Sequence, residues 1–363
     1  MSAGARPGVH QLLAALSPGD AVGNQALDIQ AHLRKAGFES EIFADKAHPR
    51  VAARARPLWE YLQVSSPANV CLLHFAIGSA VTRLFCSVPD RRVAVYHNIT
   101  PPEWFLGWSR ELVSLCHLGR RELRALAERT ELALAVSEFN RRDLERAGFR
   151  NTAVLPLVPD LAAPARPASA VLRRLLADDR DNILFVGRIA PNKRVEDLIG
   201  VFAAYQRFVR PASRLLVVGD YRGQERYHGA LLRLVEAMRL DEVLFTGHLE
   251  DDELRACYAA AHVFLCLSEH EGVGVPLLEA MAFGVPVIAY DAAAIRETLR
   301  GGGILLAEKR PELLAELIDL VVHDARLRAA VLETQARTLR DVRGIDFGAL
   351  LLERLAPVLG RTA

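Results

Sequence analysis

Short apolar runs alternate with amphipathic stretches along the whole chain. In the first half, the apolar runs have the length of buried strands and end at polar or glycine positions. The stretches between them place apolar residues at helical spacing. This alternation is typical of a parallel sheet wrapped by helices. The strands predicted for the first half are Val9–Leu16, Ser40–Ala44, Val70–Phe75, Arg92–Tyr96 and Leu132–Val136.

Two helices of the first half carry recognisable end signals. One is predicted over Asn24–Ala36, with Gly37 closing it and Asn24 suited to the N-cap position. Another is predicted over Glu138–Ala147, after Ser137 as N-cap. The glycine that follows each helix can adopt the left-handed conformation in which helices often end.

A proline-rich stretch, Leu155–Ala170, separates this half from a second alternating series that runs from Ile183 to about Leu306. Proline clusters of this kind interrupt regular structure, so the stretch is the best linker candidate in the chain. Ligands of doubly wound sheets bind beyond the carboxyl ends of the strands. Two such domains facing each other therefore predict one deep cleft between them.

The segment from Ser268 to Tyr290 combines two carboxylates, Glu271 and Glu279, with a glycine turn. Pro276 suits the first position of a helix, so Glu279 falls in or near the first turn and the preceding N–H groups point outward. Such a helix start binds phosphate. The same residues also fit a simpler arrangement, in which Glu279 complements the helix dipole and Glu271 is solvated.

Composition narrows the class of protein without deciding the function. The chain has 363 residues, 51% of them hydrophobic, and a formal net charge of +1, which gives no reason to expect nucleic-acid binding. Neither a run of the ~20 apolar residues that span a bilayer nor the apolar core of a signal peptide is evident, so a cytoplasmic protein is expected. The five cysteines are scattered and lack metal-ligand spacing, which predicts small buried apolar side chains.

Two groups of charged residues have simple interpretations. Arginines cluster around Arg120 and around Arg141, which predicts solvated helix faces. Asp179-Arg180-Asp181 has the form of a metal-binding Asp-x-Asp motif. It precedes a strand instead of following one, so we interpret it as a solvated charge run and predict no metal site.

Several motifs together resemble the retaining glycosyltransferases of family 4, which have the two-domain GT-B fold. The Glu-x7-Glu segment is followed by AMAFGVPVIA, and ILFVGRIAPNKRVEDLI, LLVVGD and VLFTGHL precede it in the family's order. In the first half, SPGDAVGN and VYHNITPPEWF look like the acceptor-side loops of one bacterial branch. The resemblance covers nearly the whole chain. Departures include Val273, where the family usually has an aromatic residue, and Ile295-Arg296 in place of the frequent Val-Pro.

The resemblance implies an α/β fold of two Rossmann-like, doubly wound parallel-sheet domains that face a cleft. The implied domains are an acceptor-side domain over 1–165, a donor domain over 166–345, and a C-terminal helix over 346–363 that returns to the first domain. The implied reaction moves a hexose from a GDP- or UDP-linked sugar to a glycan or lipid-linked acceptor, without a metal or other cofactor. Bacterial surface polysaccharide or glycoconjugate synthesis is the implied setting, and peripheral contact with the inner membrane surface is left open.

The implied donor site lies in the second half. Breaking a sugar–phosphate bond places negative charge on a diphosphate, so fixed cations are needed, and Arg188 and Lys193 are the candidates. By the resemblance, Glu279 holds the ribose hydroxyls and Glu271 the sugar hydroxyls. The other donor-binding residues that it implies are Gly187, Gly219, Gly247, His248, Gly272, Val273, Gly274, Val275 and Leu278.

The implied acceptor side lies in the first half. His97 ends a strand, which places it at the cleft, where it serves either as a catalytic residue opposite Glu271 or as an ordinary loop histidine. Glu103, Trp104 and Trp108 follow this loop and fit an acceptor surface, although packing is the commoner fate of a tryptophan. The resemblance assigns diphosphate and acceptor contacts to Gly19, Asp20, Gly23, Asn24 and Asn98.

Three other functions remain to be compared with sugar transfer. A nicotinamide-dependent oxidoreductase needs a G-x-G-x-x-G fingerprint after the first strand, and the loop there lacks it. A GT-B sugar-nucleotide epimerase would form product without any acceptor. A non-catalytic nucleotide-sugar binding subunit would keep the binding residues and show no turnover.

Overall fold

A computed structural model describes residues 7–360, and the chain divides into two compact units. Within the described residues, the first comprises 7–103, 111–158 and 345–360, and the second comprises 104–110 and 159–344. The change of unit after Val158 precedes the expected boundary at 165, and residues 104–110 group with the second unit. Positions 1–6 and 361–363 of the predicted ranges lie outside the described residues.

The first unit contains a parallel sheet with strand order β3-β2-β1-β4-β5-β6-β7. Its strands are β1 (Val9–Leu16), β2 (Ile42–Ala47), β3 (Arg56–Pro57), β4 (Val70–Phe75), β5 (Arg91–Tyr96), β6 (Leu132–Ala135) and β7 (Thr152–Val154). Its helices are α1 (Ala21–Lys35), α2 (Ala80–Ser87), α3 (Arg110–Leu126), α4 (Glu138–Arg146) and the last helix of the chain (Phe347–Leu359), with 3-10 turns at Pro49–Arg54, Leu58–Gln63 and Pro102–Phe105.

The second unit repeats this plan with strand order β10-β9-β8-β11-β12-β13. Its strands are β8 (Asp181–Val186), β9 (Ser213–Val218), β10 (Val243–Gly247), β11 (Val263–Cys266), β12 (Val287–Tyr290) and β13 (Ile304–Leu306). Its helices are α5 (Ala170–Leu175), α6 (Val195–Ala204), α7 (Glu225–Ala237), α8 (Asp251–Ala260), α9 (Val275–Ala282), α10 (Ile295–Leu299), α11 (Pro311–His323) and α12 (Ala325–Arg343); the last helix of the chain is therefore α13. Short 3-10 turns at Ala163–Ala165 and Pro191–Lys193 and a π-helical turn at Tyr205–Val209 complete it.

Each sheet has a topological switch point, where the chain changes the direction in which it adds strands. In the first sheet the switch lies between β1 and β4, and in the second between β8 and β11. Crevices at the carboxyl ends of strands beside a switch point are the usual ligand sites of doubly wound folds. The fold therefore directs attention to the loops after β1, β4, β8 and β11.

Apolar burial accounts for the two sheets. In the first unit, Val9, Ile29 and Val95 pack in one core with Leu351 and Leu355 of α13. In the second, strands β8, β9 and β11 form a core with α6 and α11. The last helix thus contributes two fully buried leucines to the unit that contains the start of the chain.

Local predictions of secondary structure differ from the structure in few places. Strands β1 and β4 and the N-cap Ser137, whose Oγ accepts the Asn140 N–H at 3.2 Å, are as predicted. The C-terminal helix that the resemblance implies over 346–363 is α13, which spans Phe347–Leu359. The predicted start of α1 at Asn24 is wrong. The helix begins at Ala21, because the chain turns at Gly19 (φ +69°) and the Asp20 carboxylate caps the Gly23 N–H at 3.2 Å.

The solvated interpretation of Asp179-Arg180-Asp181 is wrong for Asp181. This residue begins β8, is 4% exposed, and accepts hydrogen bonds from Tyr205 at 2.9 Å and His323 at 2.9 Å. A buried carboxylate is retained only when such donors compensate its lost hydration. Asp181 is thus a structural anchor between β8 and the helices that cover it.

Candidate active site

Three glycines lie side by side at the carboxyl ends of β8, β9 and β10. The Gly187 N–H donates to Val218 C=O at 2.9 Å, and the Gly219 N–H donates to Gly247 C=O at 3.1 Å. A Cβ on Gly219 would lie 1.9 Å from the carbonyl oxygen of Gly187, so no side chain fits there. Gly219 (φ +153°) and Gly247 (φ +68°) also have backbone conformations that favour glycine. Because these three residues have no side chains, the carboxyl ends of the strands are not covered there, and a ligand can approach the backbone closely.

Arg188 follows this edge and is exposed. Its Nη2 donates to the Arg222 carbonyl at 3.1 Å, and its charge contributes to the lowered pKa of Asp220. Burial acts to raise that pKa, and the hydrogen bonds from Arg222 are the main opposing effect. Arg188 is therefore tethered to the loop after β9 at one side of its guanidinium. His248, which follows Gly247, is exposed as well.

Lys193 and Glu271 form an ion pair across the switch point of the second sheet. Lys193 Nζ lies 2.5 Å from Glu271 Oε2, and the two side chains are only 17% and 13% exposed. Lys193 comes from the loop after β8, and Glu271 from the loop after β11. The alternative of a solvated Glu271 does not fit this contact. The pair places an ammonium, which can donate three hydrogen bonds, beside a carboxylate, which can only accept them.

Side chains that the sequence did not single out hold the Glu271 loop in place. Asn192 donates from Nδ2 to His270 C=O at 3.0 Å and accepts the Glu269 N–H on its own carbonyl at 3.0 Å. Lys309 bridges Glu269 at 2.7 Å and Asp197 at 2.9 Å. Asn192 could have been singled out from the sequence because it precedes Lys193. Lys309 lies far along the chain, and no sequence pattern connects it with the Glu271 loop.

The far side of the loop is fixed through helix α10. Thr298 Oγ1 donates a hydrogen bond to the Val273 carbonyl, and the Ala294 N–H donates to the Glu271 carbonyl at 3.3 Å. Gly274 (φ +88°) then turns the chain into α9. The N–H groups of Gly272 to Val275 lie at this helix start, where backbone donors and the helix dipole favour an anion.

Glu279 lies in the second turn of α9 and contacts a different partner. The buried Tyr258 donates its hydroxyl hydrogen to Glu279 Oε2 at 2.7 Å, while the neighbouring Leu278 is buried. Burial raises the pKa of Glu279, although the bond from Tyr258 acts against this rise. The structure thus separates the two glutamates: Glu271 is paired with a cation, and Glu279 with a neutral phenol.

The candidate residues of the first unit lie beyond β1 and β5. Gly23 is buried in the first turn of α1, where a Cβ would lie 3.0 Å from the Leu16 side chain. Asn24 is exposed on the same turn, and its N–H donates to the Asp20 carbonyl at 2.9 Å. The loop Gly19 to Asn24 therefore begins a helix at the switch point of the first sheet.

His97 follows β5 and is held on both backbone and ring. Its N–H donates to Phe75 C=O at 3.0 Å, and its Nε2 lies 2.9 Å from Nδ1 of His74. Burial lowers the pKa of His97 to about 3, because the charged imidazolium would lose its hydration. At neutral pH the ring is uncharged. His97 can therefore donate one hydrogen bond and accept one, and it is too weak a base to take up a second proton at neutral pH.

The loop after His97 is braced by a polar network. Asn98 (φ +82°) donates from Nδ2 to Asn140 Oδ1 at 2.7 Å. Arg120 donates to Asp143 at 2.6 Å and to the Ile99 carbonyl at 2.5 Å. The expectation that the arginine cluster is a solvated helix face is therefore wrong for Arg120, whose guanidinium fixes the His97 loop.

Trp108 packs instead of lying open. Its ring meets Tyr227 edge to face, with ring centroids 5.2 Å apart, and it joins the apolar core of the second unit. In residues 7–360 the side chains form no group of histidine, cysteine, aspartate or glutamate able to hold a metal ion.

None of the helices in this part of the chain has the length and apolarity that a bilayer crossing requires.

Comparison with solved structures shows the fold. A sucrose-phosphate synthase from Thermosynechococcus elongatus superposes with a TM-score of 0.76 over 99% of this chain and 100% of that chain, at 18% identity. Anabaena Alr3699/HepE in complex with UDP and glucose superposes with a TM-score of 0.70 over 97% and 99%, at 19% identity. Two Rossmann-like parallel-sheet units with these structural relatives have the GT-B fold, as predicted.

Sequence comparison then gives the family. The profile of glycosyl transferases group 1 matches residues 173–338. A GDP-mannose-dependent alpha-mannosyltransferase of Mycobacterium tuberculosis is 32% identical over 341 residues, which cover 84% of this chain and 84% of that protein. O-antigen chain mannosyltransferase B of Escherichia coli is 29% identical over 227 residues, 60% of this chain and 57% of that protein. The chain belongs to the group 1 glycosyltransferases.

Proposed function

We propose that this enzyme is a retaining, metal-independent hexosyltransferase that uses a nucleoside-diphosphate sugar and a glycan or lipid-linked acceptor. The observation that carries the proposal is the Lys193–Glu271 pair at the switch point of the second sheet, with Nζ and Oε2 2.5 Å apart. Lys193 supplies a fixed cation, and Glu271, in contact with it, supplies an acceptor for a hydroxyl group. A sugar diphosphate needs both.

Lys193 and Arg188 would stabilise the leaving diphosphate. Negative charge grows on the diphosphate as the sugar C1–O bond breaks, and preorganised donors act most strongly on charge that develops in the transition state. The helix start at Gly272 to Val275 would add backbone N–H donors to a phosphate oxygen. These groups are all provided by the protein, which supports a reaction without a divalent cation.

Glu271 and Glu279 would bind hydroxyl groups on different parts of the donor. Glu271 would accept from the transferred sugar, close to the bond that breaks. Glu279, with Tyr258 holding one oxygen at 2.7 Å, would accept from the ribose. By the family resemblance, the acceptor oxygen would attack C1 from the face that the diphosphate leaves, and the acceptor proton would pass to a diphosphate oxygen. His97 would hydrogen-bond a sugar or acceptor hydroxyl.

GDP-mannose is the first donor to test. The relative that aligns over 84% of this chain is named GDP-mannose-dependent, and the relative from Escherichia coli is named a mannosyltransferase. The Anabaena structure was solved with UDP and glucose, so UDP-glucose is the second candidate. A lipid-linked acceptor would require peripheral contact with the inner membrane surface, which remains a prediction.

The test is release of nucleoside diphosphate and transfer of sugar from each donor, with and without EDTA. We expect one donor to be preferred, turnover to survive EDTA, and the product to keep the anomeric configuration of the donor by NMR. Loss of turnover in EDTA that Mg²⁺ or Mn²⁺ restores would contradict metal independence. An inverted product would contradict retention.

The same experiment separates the alternatives. An epimerase would form a new sugar nucleotide in the absence of acceptor. A non-catalytic binding subunit would bind the donor and release nothing. Thermal-shift measurement detects binding in either case, because a ligand at 100 times its Kd adds about 2.7 kcal/mol to the free energy of unfolding.

A further inference from the structure

Three side chains form a hydrogen-bonded line across the switch point of the first sheet. Gln11 lies in β1, His74 in β4, and His97 just after β5. His74 Nε2 is 2.8 Å from Gln11 Oε1, and His74 Nδ1 is 2.9 Å from His97 Nε2. Gln11 and His74 are 0% and 4% exposed, so water does not compete for these contacts.

The direction of every hydrogen bond in this line follows from its buried end. Gln11 Nε2 donates to the Ala26 carbonyl at 3.0 Å, so the amide oxygen faces His74. An oxygen can only accept, which places the His74 hydrogen on Nε2 and leaves a lone pair on Nδ1. That lone pair must accept from His97, which places the His97 hydrogen on its own Nε2.

The line therefore leaves the Nδ1 lone pair of His97 as its outer end. Nδ1 is buried and has no hydrogen-bond partner among residues 7–360. Buried polar atoms without a partner are rare, and each calls for an explanation such as a ligand that binds there. A lone pair can take only a donor, and the donor group of a sugar is a hydroxyl.

We propose that Gln11 and His74 are positioning residues that fix the tautomer of His97, so that His97 Nδ1 accepts a hydrogen bond from a substrate hydroxyl. The role of the hydroxyl rests on the proposed glycosyl transfer, whereas the tautomer itself does not. Burial lowers the pKa of His74 as well as that of His97, so both rings are neutral and each has one donor and one acceptor nitrogen. The buried glutamine thus determines which nitrogen of the distant ring is free to accept.

The direct test is an NMR measurement on the full chain labelled with ¹⁵N-histidine. Two-bond ¹⁵N–¹H correlations distinguish protonated from unprotonated ring nitrogens. We expect His74 and His97 both to carry hydrogen on Nε2 in the wild type. A wild-type His97 with hydrogen on Nδ1 would overturn the proposal, and this result needs no variant to fold.

Two variants test whether the line causes the tautomer. Gln11→Leu removes the oxygen that orients His74, and His74→Phe removes the ring that orients His97. We expect both tautomers of His97 to be populated in each variant. Gln30→Leu is the matched control, because Gln30 is a buried glutamine of the same unit whose Nε2 donates to Ser40 C=O at 3.0 Å outside the line. One unchanged tautomer of His97 in both variants would overturn the causal step.

Kinetics then tests the purpose of the line and the source of the hydroxyl. Gln11→Leu should lower transfer about tenfold, the effect of one neutral hydrogen bond, and Gln30→Leu should not. A parallel fall in donor hydrolysis without acceptor would assign the hydroxyl to the donor sugar. A fall in transfer alone, with a higher acceptor KM, would assign it to the acceptor. A mixed tautomer with unaltered rates would contradict the positioning role.

Failure of this proposal is distinguishable from failure of the proposed function. If no sugar nucleotide supports transfer, the glycosyltransfer proposal fails while the NMR result still stands. If transfer occurs and His97 has the opposite tautomer, the positioning proposal alone fails.

Discussion

The two sheets share one order over six strands, to which the first sheet adds a seventh, and they carry different kinds of polar cluster at their switch points. At the β8/β11 switch point, Lys193 and Glu271 form an ion pair 2.5 Å long. At the β1/β4 switch point, Gln11 and His74 begin a neutral hydrogen-bonded line. Topology thus provides the position of a site, and the side chains determine its charge.

The two clusters differ in charge because their buried side chains have different partners. A charge can be kept in a half-buried loop when an opposite charge lies within hydrogen-bond distance, as for Lys193 and Glu271. The histidines have only neutral partners in their line, so burial keeps their pKa values low and the rings uncharged. The second sheet is thereby suited to an anionic diphosphate, and the first to hydroxyl groups.

Of the substitutions that test this difference between the two sheets, neutralising Lys193 should have the largest effect on catalysis. Lys193→Met removes the cation and leaves Glu271 without its partner. We expect kcat to fall by roughly 10²–10³, or about 3–4 kcal/mol, because the lost interaction stabilises charge that develops in the transition state. The exposed Lys35, at the end of α1, provides the control Lys35→Met. Steady-state kinetics with a kcat within threefold of wild type would remove Lys193 from the leaving-group role.

The two glutamates should fail in different ways. Glu271→Gln should lower kcat, whereas Glu279→Gln should raise donor KM by about 10- to 100-fold with little change in kcat, the sign of lost uniform binding. Tyr258→Phe removes the hydroxyl that holds Glu279 and should raise donor KM less. Identical kinetic defects in the two glutamate variants would contradict their separate roles.

The glycine edge of the second sheet can be tested through stability. Gly219→Ala would place a Cβ against the Gly187 carbonyl at 1.9 Å, so we expect a loss of about 1–3 kcal/mol in the free energy of unfolding. Gly200→Ala is the control, because a Cβ there meets nothing within 4 Å and lies in helix α6. It should gain about 0.5–1 kcal/mol. Urea denaturation measures both, and equal stabilities would show that the edge can relax.

The raised pKa of Glu279 predicts a pH-dependent gain in stability for Glu279→Gln. Below the ordinary glutamate pKa of about 4.3, both folded and unfolded carboxyls are protonated and Glu279 carries no penalty. As the pH rises through the window up to the raised folded pKa, the unfolded chain loses its proton first, so the wild type loses stability. We expect Glu279→Gln to have the higher Tm at pH 7.5, and this advantage to vanish near pH 4. A lower Tm of Glu279→Gln at pH 7.5 would contradict a burial penalty on the Glu279 carboxylate that exceeds the stabilisation from Tyr258.

The smallest change is expected at His97, in the neutral hydrogen-bonded line of the first sheet, and it concerns the pH profile of kcat/KM. Because His97 has a pKa of about 3, it stays uncharged from pH 5 to pH 8. His97→Asn should therefore lower kcat/KM by a constant factor and leave the shape of its pH profile unaltered over that range. If the wild-type profile of kcat/KM falls below about pH 6 and this fall disappears in the variant, His97 titrates in that range. The first cluster would then not be neutral.

Several features could be predicted from the sequence because they depend on local signals. The apolar runs Val9–Leu16 and Val70–Phe75 have the predicted bounds. The parallel sheets wrapped by helices followed from the alternation of strands and helices, and the GT-B fold followed from the family resemblance. The start of α1 was misplaced because both Asp20 and Asn24 suit an N-cap, and only the turn at Gly19 decides between them.

The partners of the candidate residues depended on the tertiary structure. Glu271 is 78 residues from Lys193 along the chain, and only the pairing of β8 with β11 brings their loops together. Tyr258 for Glu279, Lys309 for the Glu271 loop and His74 for His97 are long-range contacts of the same kind. The sequence determined which segments are strands, helices and polar loops, because short-range hydrophobic spacing and capping fix those. The order of the strands determined which polar side chains meet and which are buried, and burial together with the nearest partner determines charge.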